Sequence, residues 1–371
     1  MNPRFAGRPI ALLLCVLALE ASVRIPRLSA VEPHKANPDL KLGTVTILGP
    51  TSCPEGAATG ASCKSARVSC SGLPDLDATL GLTRPSGTAK GTIVLVSGGP
   101  GTAFFNSGFA DPYVSNGFNV VQLAWASAWE SANGAGVKDA ACRPASIFKY
   151  AFTQVQRQSR TGGFCGQGSS GGGAALAYSL SEYGMWNYFD YVMIAAGPGV
   201  SRMDYGCDPS LYIGGPRDLC PLLTSAPFAY PSGGKINGYE GTTTCAKPDP
   251  LASDIDKWTA DSNVSDGATY NYPQTAMSPF FCVTPSTVNE RTGQGTFLIE
   301  KVTPKNTPPD VNCYSGVCQG EAVWTDPTAF SMALSEMLSQ CVTNHCGLKK
   351  SPERSQGRPL SVYDSQFAVS V

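Results

Sequence analysis

The stretch GFCGQGSSGGGAALAY, residues 163 to 178, places two adjacent serines among six glycines and runs directly into helix-forming residues. A serine hydroxyl is a weak nucleophile. It does chemistry only when it is exposed, faces donors for a developing oxyanion, and has a base beside it. A sharp strand-to-helix turn of the form G-x-S-x-G meets the first two needs, provided that the residues two before and two after the serine are small. With Ser169 at the centre, Gln167 occupies the first of those places and is too large. With Ser170 at the centre, Gly168 and Gly172 flank it. Ser170 is therefore the candidate nucleophile. The N–H of Gly171, at the start of the following helix, is the first candidate oxyanion donor.

A second glycine segment, SGGPG at residues 97 to 101, closes the apolar run KGTIVLV. A loop in this place supplies a second N–H to the oxyanion. Pro100 has none, so Gly99 is the expected donor.

Together, VLVSGGPG and the later GQGSSGGG resemble the α/β-hydrolase superfamily, and the first motif is similar to the HGGPG loop of proline-iminopeptidase-like hydrolases and esterases. The resemblance covers residues 75 to 198 and extends through 275 to 342. It implies an α/β fold with a mainly parallel sheet, flanking helices and an inserted cap. It also implies Ser170 as nucleophile, Gly99 and Gly171 as the oxyanion hole, an ester or peptide substrate, and no cofactor. Where the family commonly has His before GGPG, this chain has Ser97, in a position that shapes the loop.

The resemblance sets the order nucleophile, acid, histidine along the chain. The acid should follow the strand SPFFCVT, where Glu290 is the carboxylate. Asp204, after IAAGPGVSRM, is the alternative one strand earlier. The histidine should stand in VCQGEAVWTDP, which instead holds Glu321. Only His34 and His345 exist in the chain. Chain order favours His345, and loop position favours Glu321. Glu321 accepts a serine proton well only if burial raises its pKa. A third reading is that the base is lost and the fold serves as a ligand- or protein-binding module.

Positioning these groups requires strands and helices in alternation. Continuous apolar runs at 90–98, 117–125 and 188–198 read as strands buried on both faces. GTVTILG, DATLGLTRPSG and TAMSPFFCVT read as further strands, and DVNCYSGVC as a strand or a loop. FADPYVSNG and GTFLIEKV read as short helices. CRPASIFKYAFTQVQRQ, the tail of the serine stretch up to Gly184, and DPTAFSMALSEMLSQCV carry helical spacing. The alternation lapses from 199 to 274, a segment rich in Pro, Gly and Tyr that reads as a cap. This gives a core of 31–198 and 275–348, with a flexible polar tail at 349–371.

The bulk properties agree. Lys and Arg total 27 against 28 Asp and Glu, giving a net charge of −1. No basic face is evident, which argues against nucleic-acid binding. Residues 1–30 read as a signal peptide, basic and then briefly apolar, implying an exported protein without a membrane anchor. Thirteen cysteines follow Cys15, dispersed rather than in close pairs. That spacing suits disulfides, not a metal site. The odd number leaves one thiol free, for which Cys165 is the expected residue. Asn263 opens the sequon NVS.

Overall fold

A computed structural model describes residues 41–105, 107–156, 162–198, 200–212, 251–283, 290–316 and 323–342. The signal segment, residues 213–250 of the expected cap and the expected tail lie outside them. Eleven strands occur among the described residues: β1 Thr44–Pro50, β2 Ser62–Ser69, β3 Leu76–Thr83, β4 Thr92–Val96, β5 Asn119–Trp125, β6 Phe164–Ser169, β7 Tyr191–Ala195, β8 Asn271–Tyr272, β9 Ala276–Val283, β10 Thr303–Pro304 and β11 Asn312–Ser315.

Nine of them form one sheet in the order β1-β2-β3-β5-β4-β6-β7-β9-β11. The first three strands and the β3–β5 pairing are antiparallel, while β5, β4, β6, β7, β9 and β11 run parallel. The central strands β4, β5, β6 and β7 are buried throughout because each of their faces meets a separate core. Along β4, Val94 and Val96 join one cluster, and Ile93 and Leu95 join the other. The first cluster takes in helices α2 (Val137–Ala140), α3 (Cys142–Ala151) and α4 (Gly171–Ser181). The second takes in α1 (Ser107–Ser115) and α8 (Pro327–Gln340). Asp326 caps α8, accepting from the N–H groups of Thr328 at 2.8 Å and Ala329 at 3.1 Å.

The sequence reading meets several corrections. The helix expected at 142–158 is α-helical only to Ala151 and then widens into a π-helical turn at Phe152–Gln156. The short helix expected at GTFLIEKV is longer: α7 runs Glu290–Lys301 and opens on Glu290. Cys165 is not a free thiol. It is the second residue of β6, on the face that α8 covers, and it bonds to Cys341 just beyond the end of α8. Cys53–Cys63 and Cys70–Cys142 are further disulfides, and Cys207, Cys282 and Cys313 are also disulfide-bonded. Asn263 is fully buried and donates from Nδ2 to Ser181 Oγ at 2.8 Å, so its amide is closed to glycosylation in the folded chain.

Within 199–274, the described residues form helices α5 (Met203–Cys207) and α6 (Ala252–Asp261) and strand β8. β8 pairs with β10 in a separate two-stranded sheet, so none of these residues enters the main sheet. Among the described residues no helix is long and apolar enough to cross a membrane.

Candidate functional site

From β4 the chain crosses to β5 on one side, and from β6 it crosses to β7 on the other. The loops leaving the carboxyl ends of β4 and β6 therefore part in opposite directions. Such a crevice is where open α/β sheets bind ligands. Ser170 follows the last residue of β6, and the Gly98–Gly101 turn follows β4.

Ser170 has φ 52° and ψ −114°, a backbone conformation that a side-chain-bearing residue rarely adopts. Two bonds hold it there. Its N–H donates to the Ala195 carbonyl at the end of β7, and its carbonyl accepts from Ala174 N–H, each at 2.9 Å. Ser170 is half-buried, whereas Ser169 is fully buried within β6. The register centred on Ser170 is thus the one adopted.

The flanking glycines are required sterically. A Cβ on Gly168 would lie 2.4 Å from the Gly172 carbonyl oxygen, and one on Gly172 would lie 2.2 Å from that of Val96. A Cβ on Gly171 would lie 2.1 Å from the Gly99 oxygen, and one on Gly98 would lie 3.4 Å from the Ser170 Cβ. The fold therefore brings Gly98, Gly99, Ser170 and Gly171 together from segments about seventy residues apart.

The strand order and the strained serine between glycines define the architecture. The chain has the α/β-hydrolase fold. A scan of protein-family models and a search of curated proteins each find no match to this chain. Among solved structures, it is similar to brefeldin A esterase, a bacterial homologue of human hormone-sensitive lipase. That likeness has 15% identity over 81% of each chain and a TM-score of 0.48. Acetyl xylan esterase 1 from Thermoanaerobacterium sp. is 12% identical over 80% of this chain and 88% of that one, with a TM-score of 0.47. An esterase from the archaeon Pyrobaculum calidifontis is 15% identical over 77% and 83%, with a TM-score of 0.45. These likenesses are too distant to say anything of substrate or activity.

The remaining sequence candidates are placed as follows. Asp204 lies in the first turn of α5 and is buried, with both carboxylate oxygens engaged by Arg202. Arg202 Nε donates to Oδ1 at 2.9 Å, Nη2 donates to Oδ2, and the guanidinium stacks on the Tyr205 ring at 3.7 Å. Asp204 thus serves an ion pair in the segment that follows β7. Glu290 begins α7, after the β9 strand. Glu321, His34 and His345 lie outside the described residues.

The anchors flanking two of these are described. Val323, two residues after Glu321, is buried, and Trp324 meets the Phe105 ring edge-on with centroids 5.3 Å apart. Phe105 belongs to the segment that continues the Gly98–Gly101 turn. At the other end of the sheet, Cys341 is bonded to Cys165, and its carbonyl accepts from Gly163 N–H at 3.0 Å.

Two polar side chains shape this region, and sequence reasoning missed the second. Ser97, in place of the family histidine, donates from Oγ to the Ala103 carbonyl at 2.6 Å across the base of the glycine turn. Gln122, fully buried in β5, bonds to three backbone groups of the surrounding loops. Its signal was visible as the one polar side chain within the apolar run VVQLA. Among the described residues, no group of three or more His, Cys, Asp or Glu is placed to hold a metal ion.

Proposed function

We propose that the chain is an exported serine hydrolase acting on an ester or a peptide, with Ser170 as its nucleophile. The observation that carries this reading is the strained Ser170 backbone at the crevice, in contact with the Gly98–Gly99 turn. Strain of this kind costs on the order of 1–3 kcal/mol and persists where the surroundings enforce it. A purely structural strand-to-helix turn has no need of it.

In this reading Ser170 Oγ attacks the substrate carbonyl carbon and its proton passes to a base. The carbonyl oxygen becomes an oxyanion that accepts from the N–H groups of Gly99 and Gly171. Collapse expels the alcohol or amine, which takes up the proton, and leaves an acyl group on Ser170. Water then attacks the acyl carbon by the same route, restoring the serine.

Glu321 is favoured as the base. Trp324, three residues after it, packs on Phe105, in the segment that continues the expected oxyanion turn. The anchor nearest His345 is Cys341, joined to the amino end of β6. Ser170 lies five residues further along, about 16 Å at the usual strand rise. Glu290 and Asp204 remain the candidates for the acid, although Arg202 already engages Asp204.

The test is hydrolysis of p-nitrophenyl acetate together with labelling by a fluorophosphonate, in wild type and in the Ser170→Ala, Glu321→Gln and His345→Ala variants. The reading predicts labelling of wild type, none of Ser170→Ala, a large loss of turnover in Glu321→Gln and little in His345→Ala. Labelling abolished by His345→Ala would overturn Glu321. Absence of labelling in wild type would favour the binding-module reading.

A further inference from the structure

We propose that Gln122 is a positioning residue for the oxyanion turn, acting as a brace together with the Cys53–Cys63 loop. The inference rests on the hydrolase reading of Ser170.

A glutamine amide buried without partners costs several kcal/mol, so one in the middle of a central strand is retained only where its bonds are met. Gln122 is fully buried, between Val121 and Leu123. Its Nε2 donates to the carbonyls of Gly56 at 2.8 Å and Phe105 at 2.9 Å, and its Oε1 accepts from Ala58 N–H at 2.8 Å. A single side chain thereby ties the loop inside the Cys53–Cys63 disulfide to the segment that leaves the oxyanion turn.

Further contacts hold both ends of this tie. On one side, the disulfide closes the loop, and Thr59 docks on helix α1 through Asp111, with N–H to Oδ1 at 2.7 Å and Oγ1 to Oδ2 at 3.1 Å. On the other side, Phe104 is buried against Gly81 and Cys63, and the Phe105 ring meets Trp324. Gln122 thus fixes the carbonyl of Phe105, four residues after the Gly98–Gly101 turn. Ser97 pins the near end of the same segment at Ala103. With both ends pinned, the Gly98–Gly101 turn keeps its position opposite Ser170.

The experiment compares wild type, Gln122→Met, the double variant Cys53→Ser/Cys63→Ser, and all three substitutions combined, without reductant. Active sites are titrated with a fluorophosphonate, and turnover of p-nitrophenyl acetate is expressed per titrated site. Misplacing a reacting group by about 1 Å can cost on the order of a hundredfold in rate. The brace predicts that Gln122→Met lowers kcat per site roughly tenfold or more with KM nearly unchanged. The double serine variant, which leaves Gln122 and β5 unchanged, should do the same. The triple variant should lose no more than the worse of the two, because both act through one tie. Unchanged kcat per site with only a lower melting temperature or fewer titratable sites would show a merely structural role and overturn the proposal. Losses that multiply in the triple variant would also overturn it. A wild type that neither labels nor turns over would remove the hydrolase reading and this inference together.

Discussion

Glu182 stands at the carboxyl end of α4, the helix that begins beside Ser170, and it is fully buried. Burial pushes its carboxyl pKa up to about 7, and the Lys138 ammonium 3.6 Å away only partly opposes this. In the unfolded chain the same group releases its proton near 4.5. Between these values the folded protein binds more protons than the unfolded one, so stability falls as pH rises. The stabilisation is fully present below about 4.5 and is lost as pH passes through about 7. At about 1.4 kcal/mol for each unit between the two values, the loss is on the order of 3 kcal/mol. Glu182→Gln keeps the shape of the protonated acid and removes the titration. Urea unfolding with disulfides intact, at pH 5 to 8, should give nearly equal stabilities at pH 5. At pH 8 the variant should be the more stable, by up to about 3 kcal/mol. Parallel pH profiles, or a variant less stable at pH 8, would refute the reasoning.

Gly172→Ala places a methyl 2.2 Å from the Val96 carbonyl oxygen, and should abolish fluorophosphonate labelling as the turn around Ser170 opens. Replacing Cys165 and Cys341 by serine frees two points 176 residues apart in the chain; the urea midpoint should fall by an equivalent of roughly 2–5 kcal/mol. Expressed through a eukaryotic secretory route, the folded protein should carry no glycan at Asn263 by peptide mass mapping, because Nδ2 is buried against Ser181.

The parts legible in the sequence were those whose residues state their own geometry. The runs that became β4, β5 and β7 are largely apolar because they lie between two cores. Gly168 and Gly172 admitted only one register around Ser170. Strand β2 was missed because small buried residues, Cys63, Ala66 and Val68, alternate with Ser, Lys and Arg and carry little apolar signal. Helix α6 was missed inside a segment judged by its prolines and glycines. The Cys165–Cys341 bond was illegible because an odd count identifies no pair, and only the packing of α8 over β6 brings the two residues together. The acid and base were ambiguous for a related reason. Chain order and loop position pointed to different residues, and tertiary anchors such as Trp324 on Phe105 are not written in local pattern.

The central claim is that Ser170 is a nucleophile held open by a strained turn. Its most direct test is to react the native protein with a fluorophosphonate, digest it, and locate the adduct by mass spectrometry. The account predicts a single adduct on Ser170, none on the buried Ser169, and loss of the adduct after unfolding in urea before treatment. An adduct on another serine, or no adduct on the native chain, would contradict it.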